Sequence, residues 1–227
     1  MKLRFAALII LLILIIDQAL KFWIKTNFTY GPVLDMFGLP WARLYFIENE
    51  GMAWGWKFGG EWGKMALTLF RLVAVLFGTW YLAKIVRDGA TRGFIICASL
   101  IYAGALGNLI DSMFYGMIFS ESTQYQVATF MPEGGGYGTF LHGKVVDMLY
   151  FPMIESTWPQ WVPFIGGEHF LFFSPIFNVA DMAISIGVIT LLIFQKRFFA
   201  HDDEEEARDE NEPVQPNTEL ENKAPVA

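Results

Sequence analysis

The chain has 227 residues, of which 54% are hydrophobic and 17% aromatic, and its mean hydropathy is +0.39. This composition argues against a soluble domain, because a fold of this size has difficulty hiding so much apolar surface. The net charge of −7 comes from residues 201–227, where ten Asp/Glu against two Lys/Arg leave −8, and the absence of a basic patch makes nucleic acid an unexpected partner. The single cysteine, Cys97, excludes an internal disulfide and a cysteine-based metal site.

Four apolar segments are long enough to cross a bilayer, which requires about 20 mostly apolar residues per helix. They cover residues 5–24, 65–86, 93–119 and 174–194. The first segment follows Lys2 and Arg4 and also fits a secretory signal, but no small-x-small cleavage site follows it, which favours a retained helix. The predicted fold class is an all-α membrane protein with four transmembrane helices in one domain, residues 1–200.

Basic residues concentrate at the helix flanks that share one side of the membrane. These residues are Lys2, Arg4, Lys84, Arg87, Arg92, Lys196 and Arg197. Because Lys and Arg favour cytoplasmic flanks, both termini are predicted to be cytoplasmic, with residues 25–64 and 112–173 outside. The tail, 201–227, is acidic and contains three prolines, so we predict that it is disordered in the cytoplasm.

Both outer segments are rich in tryptophan and turn residues, which is typical of an aromatic belt at the membrane surface. The run 41–48 is β-prone and is bounded by Pro40 and Asn49. It predicts a small outer sheet or hairpin lying on the membrane. Three successive glycines at 134–136 predict a flexible loop.

An ionisable group inside a membrane helix is expected to have a structural or functional role, because its insertion costs roughly 2.5–3.5 kcal/mol at the bilayer centre. In the first helix, Asp17 and Lys21 are four residues apart and can form an interfacial ion pair or helix anchor. In the third helix, one face carries Gly104, Gly107, Asn108 and Asp111. This face fits helix packing with polar contacts and fits a functional site equally well.

Two further carboxylates lie near the fourth helix. Asn178 suits a helix N-cap, but Asp181 is predicted about seven residues into the helix, too deep for a cap, which favours a functional role. Asp147 is the only charge in the apolar run 145–149 and requires a partner or a raised pKa. Asp111, Asp147 and Asp181 are expected to meet at the outer face. Carboxylates that share a proton can hydrolyse a peptide bond through water, as acid and base, without a metal.

Five motifs, in this order and on these helices, are similar to those of one known family. They are DQALK (17–21), NEGMAW (49–54), GALGNLID (104–111), VVD (145–147) and FNVAD (177–181). Over roughly residues 5–195 the chain resembles the lipoprotein signal peptidases, or signal peptidases II, which are bacterial aspartyl endopeptidases. Two stretches look inserted, 120–142 and 158–168, and Ser112 stands where the family commonly has an arginine that helps to hold the site.

The resemblance implies a catalytic pair, Asp147 and Asp181, and no cofactor or metal. It implies supporting roles for Asn49, Gly51, Asn108, Asp111, Asn178, Asp17 and Lys21. The implied substrate is the signal peptide of a prolipoprotein whose cysteine carries diacylglycerol, cut just before that cysteine. The implied setting is the bacterial inner membrane, with membrane lipids as neighbours, the site at the outer face, and a monomeric enzyme.

Two other classes of function fit parts of the pattern. A channel or carrier could use the aspartates as a cation or proton path, although the candidates cluster at one face rather than along the membrane depth. A structural subunit could use its polar stripes to bind partner helices.

Overall fold

The structure, a computed structural model, describes residues 1–49, 60–152, 154–172 and 175–211. The elements in chain order are α1 (Leu3–Asn27), β1 (Val33–Met36), β2 (Leu39–Asn49), α2 (Gly60–Arg87), α3 (Arg92–Ile110), a π-helical turn (Asp111–Tyr115), α4 (Gly116–Ile118), β3 (Val145–Tyr150), β4 (Ile154–Thr157), β5 (His169–Phe172), β6 (Ile176–Phe177) and α5 (Val179–Asn211). Four helical spans, 3–27, 62–87, 92–118 and 179–198, are long and apolar enough to cross a membrane. The predicted fold class, four membrane helices with a small β-rich element, is confirmed.

The span that starts with α3 is the centre of the bundle. Half of its most apolar stretch is buried, against 11–17% in the other three spans, and α3 packs against α1, α2 and α5. The outward faces of the other helices carry large apolar side chains such as Leu8, Leu11 and Ile15, each more than half exposed. In a membrane protein these faces meet lipid, so the polar groups are left to the helix–helix contacts.

A four-stranded antiparallel sheet in the order β1-β2-β3-β6 lies beside one end of the bundle. In β2 and β3, Ile47 lies opposite Asp147 and Asn49 lies opposite Val145. On the other side of β3, Leu149 pairs with Phe177, the last residue of β6. The sheet therefore places Asp147 between the end of β2 and the start of α5.

The inserted stretch 120–142 wraps around the carboxyl end of the third membrane span. Backbone N–H groups of the insert and its flank donate to carbonyls of that end, in the pairs Gly143 to Ser112, Leu141 to Met113, Gly138 to Gly116 and Tyr137 to Phe119. The last carbonyls of a helix have no partner within it. The insert supplies donors to that end, and the π turn is held in place from outside.

Lys25 of α1 and Glu48 of β2 form a buried ion pair, which fastens the insert to the sheet and to α1. The ammonium of Lys25 also donates to Ser122 Oγ at 3.0 Å, and Tyr30 Oη donates to Glu48 Oε2 at 2.5 Å. Burial and the Glu48 charge raise the pKa of the Tyr30 hydroxyl, so it remains a donor. The other insert, 158–168, joins β4 to β5 as a hairpin, with Trp158 packed on Phe170.

Several predicted boundaries are corrected. The fourth helix begins at Val179 rather than residue 174, because β6 occupies the residues before it. The third span ends at residue 118 and contains a π turn, and α5 continues to Asn211 rather than ending at 194. The division of the chain at residue 200 remains a prediction. Most of the tail that is predicted to be disordered, residues 212–227, lies outside the described residues. Gly51 also lies outside them.

Candidate active site

Lys21 of α1 is fully buried and has three acceptors. Its Nζ lies 2.8 Å from Asp17 Oδ2, 2.8 Å from Asp111 Oδ2 and 2.9 Å from Asn108 Oδ1. An ammonium group carries three N–H donors, so this arrangement uses all of them. Burying a charge is unfavourable unless it is paired and hydrogen-bonded, and both conditions are met here.

Asp17 joins α1 to the start of α5. Its Oδ1 accepts a hydrogen bond from the Ala180 backbone N–H at 2.8 Å, while its Oδ2 binds Lys21. A carboxylate is favourable at a helix N-terminus because the exposed N–H groups there carry partial positive charge. The predicted Asp17–Lys21 ion pair therefore exists, and it is buried among three helices.

Asn178 and Asp181 form a reciprocal cap on α5. The Asp181 N–H donates to Asn178 Oδ1 at 2.9 Å, and the Asn178 N–H donates to Asp181 Oδ2 at 3.3 Å. This is the pattern of a capping box, in which the residue before the helix and the third helical residue satisfy each other's backbone N–H. The interpretation that Asp181 is too deep for a cap is wrong, because the helix begins five residues later than predicted.

The amide of Asn178 also holds Asp147. Asn178 Nδ2 donates to Asp147 Oδ1 at 2.7 Å, and Asn108 Nδ2 donates to Asp181 Oδ1 at 2.8 Å. The two amides are linked, since Asn178 Nδ2 also lies 3.2 Å from Asn108 Oδ1. Asp147 and Asp181, which come from a strand and a helix 34 positions apart in the sequence, are thereby held by one asparagine.

The two carboxyl groups differ in environment. Asp147 is only 3% exposed, whereas Asp181 is half-buried. Burial, followed by the nearby charge of Asp181, raises the pKa of Asp147 to about 8. At neutral pH the Asp147 carboxyl therefore carries a proton and can act as an acid toward a bound group, next to a second carboxyl that can act as a base.

Asp111 belongs to the Lys21 network. Its Oδ1 accepts from Gln18 Nε2 at 2.8 Å, and its Oδ2 binds Lys21 and lies 3.4 Å from the Val146 N–H. The residue stands at the first position of the π turn, and such turns are frequent at functional sites. Asp111 therefore makes polar packing contacts that also support the strand carrying Asp147, and a functional role of this helix face remains a prediction.

Asn49 ends β2 and lies two residue pairs along from the Ile47–Asp147 pair. Residues two apart on a strand share a face, so Asn49 is on the face of the sheet that carries Asp147. The predicted contact of residues 49–54 with a substrate remains a prediction, because residues 50–59 lie outside the described part of the chain.

Two contributors to this region were missed by reasoning from the sequence. Gln18 binds Asp111 and accepts from Tyr115 Oη at 3.1 Å, although its position next to Asp17 could have drawn attention to it. Arg71 of α2 reaches Ser112, with Nη1 3.2 Å from Ser112 Oγ. Its signal was a lone charge in the middle of an apolar helix.

The described residues contain no group of three or more His, Cys, Asp or Glu arranged to hold a metal ion. The carboxylates of the network bind the Lys21 ammonium, side-chain amides and backbone N–H groups. The fold and site thus define a multi-pass membrane protein with a buried carboxylate and amide network at one end of its helix bundle.

Comparisons with known proteins identify the family. The family model described as Signal peptidase (SPase) II matches residues 9–197. The chain is 49% identical over 195 residues to a lipoprotein signal peptidase of Porphyromonas gingivalis, covering 86% of this chain and 84% of the relative. A lipoprotein signal peptidase of Amoebophilus asiaticus is 36% identical over 194 residues, covering 83% and 76%. The chain therefore belongs to the signal peptidase II family and is a membrane-bound peptidase.

Two solved structures are similar to this fold. Both are bacterial membrane enzymes determined by the in meso method, at 2.3 Å and 1.9 Å resolution. The first has a TM-score of 0.53 with 22% identity, over 92% of this chain and 94% of that one. The second has a TM-score of 0.51 with 25% identity, over 83% and 90%. These similarities support the fold, and nothing found supports a channel.

Proposed function

We propose that this protein is an aspartic endopeptidase that cuts diacylglyceryl-modified prolipoproteins just before the lipidated cysteine, with Asp147 and Asp181 as the catalytic pair. Membership of the lipoprotein signal peptidase family supports the substrate class. One observation carries the choice of residues: Asn178 donates to Asp147 through its amide and accepts from the backbone of Asp181 through its carbonyl. The same residue thus contacts the Asp147 carboxyl through its side chain and the Asp181 carboxyl through its backbone N–H.

In the proposed reaction Asp181 takes a proton from a water molecule, whose oxygen attacks the carbonyl carbon before the lipidated cysteine. Asp147 donates its proton toward the substrate carbonyl oxygen, and the tetrahedral intermediate then breaks its C–N bond. Asp181 passes its proton to the cysteine nitrogen, which leaves as the amine, and Asp147 regains its proton from the hydroxyl that becomes the carbonyl of the carboxyl product. The oxygen of water stays on that carboxyl, and both aspartates return to their starting forms. The raised pKa of Asp147 supports its role as the acid at neutral pH.

The roles of the other residues follow from their contacts. Asn108 orients Asp181, while Asp17, Lys21 and Asp111 hold α1, α3 and α5 together beneath the pair. Asn49 and Gly51 are proposed to contact the substrate backbone. Because all these groups belong to one chain, a monomer is sufficient for the site.

We place the enzyme in the bacterial inner membrane, with both termini in the cytoplasm and the aspartates at the outer face. The basic flanks of the helices support this orientation. An outer-face site suits the substrate, because the signal-peptide helix, the diacylglycerol chains and water can all be reached at a membrane boundary. No metal or cofactor is needed for this chemistry.

The test is cleavage of a lipidated preprotein by the purified wild type and by Asp147→Asn, Asp181→Asn and the double variant. Asparagine keeps the shape but cannot titrate, so each single variant should lose at least about 100-fold in rate. The double variant should be no worse than either single one, because the pair acts as a unit. Asp35→Asn is the matched control, since Asp35 is an exposed aspartate on β1.

Thermal unfolding is measured beside activity, and the same preprotein without lipid is assayed in parallel. Substantial cleavage by a folded Asp147→Asn or Asp181→Asn variant would contradict the catalytic pair. Asp111→Asn should act mainly through lower stability, because its contacts are with Lys21 and Gln18. A folded, stable and inactive Asp111→Asn variant would place Asp111 among the catalytic groups. Equal cleavage with and without lipid would contradict the proposed substrate.

A further inference from the structure

Arg71 stands within the second membrane span, where a charge is unfavourable. It lies nine residues after Trp62, the start of that span, or about 14 Å along the helix axis. A charged side chain near the bilayer centre costs roughly 2.5–3.5 kcal/mol on insertion scales and therefore calls for a specific partner. Its partner is on the neighbouring span, because Nη1 donates to Ser112 Oγ at 3.2 Å.

The depth of Arg71 matches the depth of the aspartate network. Arg71 precedes Arg87, the end of α2, by 16 residues, and Asp111 follows Arg92, the start of α3, by 19 residues. At 1.5 Å per residue, both lie about 24–28 Å from the short link that joins the two helices. The antiparallel packing of α2 on α3 therefore brings the guanidinium beside the π turn.

The charges around the pair show what Arg71 contributes. The titratable and charged groups that face the pair are Asp17 and Lys21 of α1, Arg71 of α2, Asp111 at the end of α3, Asp147 of β3 and Asp181 of α5. The charges of Asp181, Asp111 and Asp147 act on the guanidinium of Arg71. Lys21 binds Asp17, Asp111 and Asn108, and its charge also acts on Asp147, so among the described residues Arg71 is a second cation near the pair.

Position 112 explains why a cation should come from α2. The resemblance to the family implies an arginine directly after the aspartate that is Asp111 here, and this chain has Ser112 instead. Ser112 is buried, donates to Asn108 O at 2.9 Å, and accepts from Arg71. The serine thus receives an arginine side chain from the adjacent helix at the place where the family has one in the same helix.

We propose that Arg71 is a positioning residue of the aspartate pair, supplying from α2 the positive charge that the family carries at position 112. This role rests on the proposed function, because it acts on the proposed catalytic pair. The guanidinium holds the π turn through Ser112 and places a positive charge close enough to act on Asp181.

The first part of the test is the pH dependence of kcat/KM for cleavage of the lipidated preprotein. The acid limb is the low-pH side of this profile, where kcat/KM falls as a carboxylate becomes protonated. Removing a nearby cation makes a carboxylate bind its proton more tightly, so in Arg71→Ser the acid limb should move up by about one pH unit. At a pH on that limb, the rate should fall about tenfold. Arg71→Lys keeps a charge at the same place and should keep the acid limb of the wild type.

The second part is a reciprocal exchange. The double variant Arg71→Ser, Ser112→Arg returns an arginine to the site from the neighbouring position, into the space that the shorter residue leaves. It should restore the acid limb and most of the rate that Arg71→Ser loses. Arg87→Gln, an exposed arginine at the far end of the same helix, is the control and should behave as the wild type.

Each result of these experiments either supports or overturns the positioning role of Arg71. An unmoved acid limb in a folded Arg71→Ser variant overturns it, and so does a folded exchange variant that stays as impaired as Arg71→Ser. If Arg71→Ser does not fold, Arg71→Lys decides: a wild-type limb supports the role, and a limb displaced by about one unit overturns it. A wild type that does not cleave overturns the proposed function together with this role, whereas a cleaving wild type isolates the failure to Arg71.

Discussion

At the scale of single residues, burial decides how much an ion pair contributes. Lys21–Asp17 and Lys84–Asp88 have the same i,i+4 spacing and the same 2.8 Å separation, but the first pair is buried and the second is exposed. Removing one partner of a buried pair leaves an uncompensated charge, which costs about 3–5 kcal/mol. An exposed pair contributes little, because water screens it.

We therefore expect Lys21→Met to lower the free energy of unfolding by about 3–5 kcal/mol, while Lys84→Met changes it little. Adding Asp111→Asn to Lys21→Met should recover part of the loss, because one of the stranded carboxylates disappears. Thermal or denaturant unfolding in one detergent checks all four proteins. Equal effects of Lys21→Met and Lys84→Met would show that the buried network does not hold the helices.

The raised pKa of Asp147 predicts that the stability of the folded protein depends on pH. Its pKa rises from an ordinary value of 3.8 to about 8 on folding, so the folded state holds the proton more tightly. This contribution to stability is complete below about pH 4 and is lost as the pH rises to about 8. Asp147→Asn removes the titrating group and with it this loss.

The melting temperature of Asp147→Asn, relative to the wild type, should therefore increase as the pH is raised from 4 to 8. In a chain of this length each kcal/mol is worth roughly 2–4 °C. Asp35→Asn, an exposed aspartate, serves as the control and should show no such trend. A difference that is constant with pH, or that shrinks, would mean that Asp147 is not protonated in the folded protein at neutral pH.

The residues of the network were predictable because charged and amide side chains stand out in apolar segments. Asp17, Lys21, Asn108, Asp111, Asp147, Asn178 and Asp181 all qualified on that ground. Which of them bind one another was not predictable, because hydrogen bonds depend on helix rotation and on the exact helix start. The capping role of Asp181 was missed for this reason, and the contact of Arg71 with Ser112 was missed because it joins two different helices.

At the scale of elements, Gly104 allows the backbone of α3 to lie against the backbone of α5. A Cβ added to Gly104 would lie 2.2 Å from the Ala180 carbonyl oxygen and 2.6 Å from Ile184 Cγ1. Ala180 stands in the first turn of α5, between Asn178 and Asp181. Any displacement of this turn therefore moves the residues that hold the aspartate pair.

Gly104→Ala should reduce both cleavage and stability, because backbone at Ala180 cannot yield as a side chain can. Gly78→Ala is the matched control, a helical glycine whose added Cβ would meet only the Tyr102 ring, at 3.0 Å. Cleavage rate and melting temperature should change much less in the control than in Gly104→Ala. Normal activity in Gly104→Ala would show that the close contact does not position the site.

Helices and strands differed in how far the sequence predicts them. The membrane spans were predictable from the length of their apolar runs, with ends in error by up to five residues, whereas α5 itself runs 17 residues past its predicted end at 194. The strand at 41–48 was recognised, and β2 extends it to Leu39–Asn49. Strand β3 was not recognised, because residues 145–148 are all buried and show no alternation of apolar and polar side chains. The π turn gave no signal, since it differs from an α-helix only in its hydrogen bonds.

At the scale of the whole molecule, the orientation in the membrane remains a prediction from charge distribution. Replacing Cys97 by alanine removes the single cysteine, after which a new cysteine can be placed at Gly134 or at Asp88. Both positions are exposed, Gly134 in the insert and Asp88 in the link between α2 and α3. Gly134→Cys should react with an impermeant thiol reagent in intact cells, and Asp88→Cys only after the membrane is opened. The opposite pattern would reverse the topology.

The number of helices and their order follow from hydropathy alone, and the family follows from five short motifs taken together. The arrangement of the helices around α3 does not follow from hydropathy, because α1, α2 and α5 are all apolar enough to face lipid on one side. The role of the insert at 120–142 was also beyond reach, since its contacts run from backbone N–H groups to the end of another element.

The position of Asn178 and Asp181 in the last helix has a consequence for biogenesis. Asp17 and Lys21 lie on one helix and can neutralise each other as soon as α1 is made, whereas Asn178 and Asp181 reach the membrane only when nearly the whole chain has been translated. Until then Asp147 has neither its amide partner nor its neighbouring carboxyl. A nascent chain therefore holds no complete pair of aspartates before α5 is made, so the proposed peptidase activity can arise only after that helix has been synthesised.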